Sequence, residues 1–314
     1  MINDGLQNVE NEIHSFLLIG QSNIAGMKNE NTELYMLTET SKFMMSFVIV
    51  TRENNCIVID GGRPDDMPLL KEYVGGRRIS AWILTHAHLD HVSGFISELE
   101  KNGGADFDIE RVVYNFPPMT DLENHDVPDY EYFKQEYNAC IPRFLAVRKS
   151  IAGRETVVNQ GDVLTVDECR IEFLYTRHEG LVANPMNDTS LVFKVTSPNK
   201  TVLFLGDLGP EGGDHLLRES RHLLKSDIVQ MAHHGHMGVD MAVYAEIMPS
   251  VCLWCAPDWL YDECEMPPYL ADEEKTKKRH RYRMYGTAMT RKWMEILGVK
   301  THYVTKDGTQ RLVI

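Results

Sequence analysis

The chain reads as short apolar runs separated by turns. Strand-like runs recur at Glu33–Leu37, Ser46–Thr51, Cys56–Asp60, Ala81–Thr85, Val112–Asn115, Arg170–Tyr175, Leu191–Val195, Thr201–Leu205 and Asp227–Met231. Most are rich in Val, Ile, Leu and Phe, as strands buried in a sheet tend to be. The apolar run SVCLWCAP, Ser250–Pro257, reads as a further buried strand. Asn54-Asn55 and Ser197-Pro198-Asn199 fall between strand pairs and predict hairpin turns. Helical spacing follows at Val92–Lys101, Tyr130–Ile151, His215–Lys225, Ala242–Met248 and Thr287–Leu297. Hairpins mixed with separate helices point to a layered α/β sandwich. No internal repeat, low-complexity tract or long linker interrupts the pattern. Two excursions stand out: Pro128–Ile151, loaded with Tyr and Phe, and Pro257–Met284, which is acidic and then basic. Long departures from a compact domain tend to be functional, so both are placed at the border of a cleft.

Composition narrows the class. At ~100–200 residues per domain, 314 residues allow one large domain or two small ones. No apolar run approaches the ~20 residues of a membrane span, so no membrane partner is expected. The opening MINDGLQNVENEIHSFLLIG is acidic before a very short apolar run, the reverse of a signal peptide. Net charge is 32 − 46 = −14, whereas proteins that grip a long phosphate backbone usually carry a basic face. Lys275–Arg283 (KTKKRHRYR) is the basic exception, read either as a steering patch for a phosphate-bearing substrate or as a solvated loop. A long nucleic-acid partner is therefore not expected. Cys56, Cys140, Cys169, Cys252, Cys255 and Cys264 are thinly spread, which suits a reducing cytoplasm. Cys252 and Cys255 form a lone CxxC inside an apolar run; a closed zinc site needs four ligands, so the pair reads as structural. The methionines, Met44 and Met45 among them, read as core filling. Tyr130–Tyr137 (YEYFKQEY) reads as one core-packed helix face, with roofing of the cleft as the alternative.

The chemistry concentrates in Thr85-His86-Ala87-His88-Leu89-Asp90-His91, between a strand and the helix expected from Val92. Neutral imidazole with carboxylate suits zinc or a similar divalent ion. His86 and His88 can reach one ion from an extended strand end. Asp90 and His91, past the turn, can reach a second.

This HxHxDH stretch resembles the signature of the metallo-β-lactamase superfamily, a four-layer αββα sandwich with a one- or two-metal hydrolytic site. Further similarities run in order across Glu33–Ile314. Cys56–Gly62 (CIVIDGG) is similar to the early strand whose Asp-Gly buttresses the site. Thr201–Asp207 (TVLFLGD) places Asp207 like the metal-bridging carboxylate, and Met231–Gly235 (MAHHG) resembles the late strand-end histidine. Asn187–Val192 (NDTSLV), LFLGD, Asp227–Gly235 and the closing TKDGTQRLVI (Thr305–Ile314) look like the competence-type, DNA-internalisation branch. In that branch the domain is attached to a DNA-uptake channel or is a free soluble protein.

The resemblance implies two divalent ions, zinc foremost with manganese as the alternative. His86 and His88 would bind the first, Asp90 and His91 the second, with Asp207 bridging. One of His233 and His234 would join the second site; His234 is preferred, with His233 as its orienting neighbour. His236 stands where the branch often has Ser and is expected to touch substrate. The superfamily's middle histidine is absent: Asn187 and Asp188 stand before Leu191–Val195. Asn187 is the preferred third ligand of the first ion, Asp188 is expected near substrate or at the metal, and His178 is a substitute through a loop excursion. Asp60 is expected behind the ligands. Two ions ~3.5–4 Å apart lower the pKa of a shared water towards ~7 and clamp attacking and leaving oxygens. Asp90 would orient that water or accept its proton. The expected reaction is hydrolysis of a phosphodiester, a nucleotide or short nucleic acid. The alternatives are a carbonyl hydrolase (lactonase, thioesterase or β-lactamase-like) and a non-catalytic metal-binding or regulatory module.

A second resemblance covers the start. Ile13–Gly26 (IHSFLLIGQSNIAG) closely resembles the first block of SGNH-type esterases of the sialate O-acetylesterase kind, with Ser22 in the nucleophile's place. A serine esterase also needs a base and an orienting acid, and the late Asp-x-x-His of that family has no counterpart here. Residues 1–30 are therefore expected to be a non-catalytic extension, and 31–314 the hydrolase domain.

Overall fold

Alternation along adjacent strands decides the layers. In β2 (Ser46–Val50) and β3 (Cys56–Asp60), Phe47, Ile49, Ile57 and Ile59 enter one apolar cluster, while Val48, Val50, Cys56 and Val58 enter another. Every residue of both strands is buried, so their sheet is covered on both faces. The computed structural model describes residues 28–118, 130–262 and 285–314. The readings placed on Ile13–Gly26, Ser22, Cys264 and Lys275–Arg283 lie outside those residues.

Two seven-stranded sheets form the centre. The first runs in the order β14 (Gln310–Val313), β1 (Glu33–Met36), β2, β3, β4 (Ile79–Ile83), β5 (Val112–Tyr114), β6 (Glu155–Val157). The second runs β13 (Thr301–Val304), β12 (Val251–Trp254), β11 (Ile228–Gln230), β10 (Thr201–Phe204), β9 (Val192–Thr196), β8 (Cys169–Tyr175), β7 (Val163–Val166). Both expected hairpins are present, pairing β2 with β3 and β9 with β10 antiparallel.

The middle layer joins the sheets face to face. Phe47 of β2 meets Phe204 of β10 edge-on at 5.1 Å, and Phe204 stacks on Phe193 of β9. On the outer face of the first sheet lie α1 (Met67–Val74), α2 (Leu89–Asn102) and α3 (Tyr130–Val147), through Leu70, Val74, Phe95, Phe133, Ile141 and Phe144. The second sheet is covered by α4 (Pro210–Ser220), α5 (Met241–Ile247), the short α6 (Asp258–Tyr261) and α7 (Thr287–Ile296). Leu216, Val243, Tyr244, Leu260, Trp293 and Met294 supply that contact. The result is the αββα order expected. Phe133 and Tyr137 are buried in the outer cluster, as core packing of that helix requires. Among the described residues no helix is long and apolar enough to cross a membrane.

One boundary differs where it matters. β4 ends at Ile83 and α2 begins at Leu89, with His88 as its N-cap, rather than at Thr85 and Val92. Thr85 leaves the strand ladder because its N–H donates to Asp60 Oδ1 at 2.7 Å. Asp90 and His91 consequently occupy the first turn of a helix, not a loop before it.

Candidate metal centre

The centre lies where strand ends of both sheets meet. Asp60 closes β3 with φ of 53°, a left-handed backbone uncommon outside glycine. Its carboxylate accepts from Thr85 N–H, Thr85 Oγ1–H and His91 Nδ1, each at 2.7 Å. With Nδ1 committed to Asp60, His91 presents Nε2 to the centre, the usual device for fixing a ligating histidine. Thr85 Oγ1 is also 3.1 Å from His86 Nδ1, which turns His86 Nε2 inward. His88 Nδ1 lies 3.1 Å from that Nε2.

Opposite them, Asp207 follows β10 and His234 follows β11. Asp207 N–H donates to Ser190 Oγ at 3.0 Å. Gln230, fully buried, accepts from Leu205 N–H and Gly206 N–H and donates to the carbonyls of Gly206 and Met231. One amide thus ties the Asp207 loop to the histidine loop. His233 and His234 both have positive φ, 50° and 56°, a conformation that costs roughly 1–2 kcal/mol per L-residue. Gly235 follows with φ of 91°, and a Cβ there would lie 2.4 Å from the Trp254 ring. His234 Nδ1 lies 2.7 Å from the Cys255 carbonyl, so its Nε2 faces the centre. Phe43 meets the His234 ring edge-on at 4.9 Å.

Asp207 Oδ2 is the hub. It lies 3.2 Å from His91 Nε2, 3.6 Å from His234 Nε2, and 3.7 Å from the Nε2 atoms of His86 and His233. Asp90 Oδ2 is 3.2 Å from His234 Nε2 and 3.8 Å from His91 Nε2. Two ligand groups result, Asp90–His91–Asp207–His234 and His86–His88–Asp207, sharing one carboxylate.

Burial and charge suit cations there. His88 Nε2, His91 Nε2, His234 Nε2 and Asp207 Oδ1 are buried and make no hydrogen bond. Each such group left unmet costs about 1–3 kcal/mol, so their convergence fits divalent ions that would take up all four. The nitrogen and oxygen donors match zinc, manganese or iron. Burial raises the Asp90 and Asp207 carboxyls, but the surrounding histidines outweigh it and hold both well below the ordinary carboxylate range. Burial pushes His233 down to about 4 and lowers His86 strongly, leaving neutral imidazoles. For His91 burial works downward too, yet Asp207, Asp60 and Asp90 raise it well above its usual value.

A family model described as the metallo-beta-lactamase superfamily matches residues 45–245. The chain belongs to the metallo-beta-lactamase superfamily. Its members are generally metallo-hydrolases, and the centre sits on the fold of a metal-dependent hydrolase. No curated protein matches the chain. Among solved structures it is similar to CmlA, a diiron β-hydroxylase from Streptomyces venezuelae, at 11% identity and TM-score 0.51, covering 91% of this chain and 55% of that one. It thus spans about half of CmlA's length. The metallo-beta-lactamase fold protein YhfI from Bacillus subtilis is 12% identical at TM-score 0.48, over 90% of this chain and 100% of that chain. Zinc-bound PqqB from Methylobacterium extorquens is 10% identical at TM-score 0.48, over the same shares.

Within the metallo-beta-lactamase frame, the departures sit around the absent middle histidine. Asn187 opens the turn Asn187–Thr189 and places Nδ2 at 3.3 Å from His233 Nε2, its buried Oδ1 making no hydrogen bond. Asp188 joins neither ligand group and turns its Oδ1 to the start of α4. It is fully buried, its Oδ1 accepts from Gly209 N–H and Gly212 N–H at 2.9 Å each, and burial pushes its carboxyl up to about 7. His178 does not complete the first group either; it pairs with Glu219 and stacks near His215. His233 is not the orienter of His234, a task the Cys255 carbonyl performs. It instead lies between Asp207 and Asn187. His236 packs its ring 4.5 Å from that of His233.

Several contributors carry no readable spacing. Ser190, Phe43 and Cys255 each act through a contact with one residue of the centre, Asp207 or His234. Glu136 of α3, whose Oε2 is 3.5 Å from His88 Nε2, is hidden in an aromatic helix. Gln230 had one available signal: a polar side chain inside an apolar strand must find buried partners.

Proposed function

We propose that the protein hydrolyses a small phosphodiester, a nucleotide or short nucleic acid, with two divalent ions, zinc foremost. The single observation supporting this is Asp207 Oδ2, which lies within 3.7 Å of imidazole nitrogens from both ligand groups, His86 of one and His91 and His234 of the other. Bound ions would supply Lewis-acid polarisation of the phosphoryl oxygens and an activated water. The chain supplies the rest. Asp60 and the Cys255 carbonyl hold the Nδ1 atoms of His91 and His234 and so turn both Nε2 atoms to the centre. On this reading Asp90, kept anionic by the surrounding histidines, orients the attacking water or accepts its proton. His236 and Asn187 flank His233, which supports a role for both in meeting substrate beside the centre.

The net charge of −14 supports a small substrate rather than a long polyanion. The Asn187-Asp188-Thr189-Ser190 turn, in place of a superfamily histidine, supports the competence-type branch. Buried, unbridged Cys56, Cys140, Cys169, Cys252 and Cys255 support a reducing, cytoplasmic setting. Turnover of bis(p-nitrophenyl) phosphate by the zinc- or manganese-loaded protein tests the reading. Cleavage of lactones or thioesters alone would assign a carbonyl hydrolase, and metal binding without any turnover a regulatory module.

A further inference from the structure

A second cluster of ligating side chains lies outside the centre. His215 and Glu219 are four residues apart on α4, one turn along the same face. His178, in the segment after β8, reaches the same point: its Nε2 is 3.3 Å from Glu219 Oε2, and His215 Nδ1 is 3.6 Å from Glu219 Oε1. The two imidazole rings are 4.5 Å apart with 34° between their planes, so one carboxylate sits against two ring nitrogens. His215 Nδ1 is buried and makes no hydrogen bond. Burial, the nearby His178 and Arg218 lower its basicity, which favours the neutral, ligating form. The side chains are 26–32% exposed, leaving a solvent-facing position for water.

We propose that His178, His215 and Glu219 form a second, peripheral cation site that takes a zinc-class ion. Two imidazoles and a carboxylate, with water in the fourth position, are a donor set suited to that ion. The site would work as a clip. The segment between β8 and β9 carries Asn187 and Ser190, both at the catalytic centre. Its later part is already tied to α4: Glu211 accepts from Val182 N–H and Ala183 N–H, and Asp188 from Gly209 N–H and Gly212 N–H. Its first part meets α4 through His178. An ion there would fix the whole segment against the helix that follows Asp207.

The test uses the full chain. Zinc is counted after equilibrium dialysis for the wild type, His178→Gln, His215→Gln and Glu219→Gln. Each variant is expected to bind one equivalent less than the wild type, and Asp207→Ala to retain the equivalent they lose. Diethylpyrocarbonate modification of the wild type, read by peptide mass spectrometry, is independent of how the variants fold. Zinc should slow modification of His178 and His215 at least tenfold and leave nearby, exposed His222 unchanged. Equal zinc counts in all three variants, a loss confined to one of them, or no protection of the two histidines would overturn the site.

Discussion

The Nδ1 atom of His91 lies 2.7 Å from Asp60 Oδ2, and both side chains are fully buried. A carboxylate behind a histidine fixes its tautomer and strengthens its other nitrogen as a ligand. Removing such a partner typically costs 10–100-fold in metal affinity or activity. Asp60→Asn should therefore weaken zinc binding by about 10–100-fold while the fold persists, as read by competition with a chromophoric chelator. An unchanged affinity would mean that His91 is not a ligand.

Gln230 makes four buried hydrogen bonds that join the Asp207 loop to the His233–His234 loop. Gln230→Leu leaves their backbone partners unmet at about 1–3 kcal/mol each. The expected loss is about 3 kcal/mol or more, measured by urea unfolding of the metal-free protein, with metal affinity falling as well.

Gly235 holds φ of 91° against the Trp254 ring. Gly235→Ala has no room for its methyl, so the histidine loop must shift. Reduced thermal stability and loss of at least one bound ion are expected, from calorimetry and metal analysis. A variant with both properties intact would show the loop to be more tolerant than its contacts imply.

Burial pushes the thiols of Cys56, Cys140, Cys169 and Cys252 up to about 12. A free thiol ionises near ~8.5, so the unfolded chain loses these protons first. The stability they contribute is present below the unfolded value and is lost as pH rises from it towards 12. Alkylation of these four should be negligible in the native protein at pH 8 and complete in denaturant, as read by peptide mass spectrometry.

Much of the architecture was legible because apolar strands announce themselves. The pairs β2–β3 and β9–β10 were readable from apolar runs and their turn residues. What escaped was short, polar or masked by chemistry. Glu155–Val157 of β6 is a three-residue edge strand with no fully buried residue, and β7, though it reads Val-Leu-Thr-Val, is a four-residue edge strand set among polar neighbours, with three of its residues half-buried or exposed. The start of α2 was hidden because its first turn is built from Asp90 and His91 rather than core residues. At the centre, local clustering pointed to His86, His88, Asp90 and His91, whereas Asp207 and the His233–His234 pair were pointed to by the family resemblance, which left the choice between the two histidines open. Asp188 and His178 could not be assigned, because whether a side chain faces the centre or a helix depends on the path of the segment between β8 and β9. His233 and His234 are adjacent in the chain, but two successive left-handed residues send them to different partners, which spacing does not reveal.

Anomalous scattering from crystals of the zinc-loaded protein tests the paired centre most directly. At the centre two peaks are expected ~3.5–4 Å apart, each ~2.0–2.2 Å from an oxygen of Asp207, one also contacting His86 and His88 and the other Asp90, His91 and His234, separate from any peak at His178, His215 and Glu219. A central peak that leaves Asp207 uncoordinated, or no peak among the histidines of the centre, would contradict this arrangement.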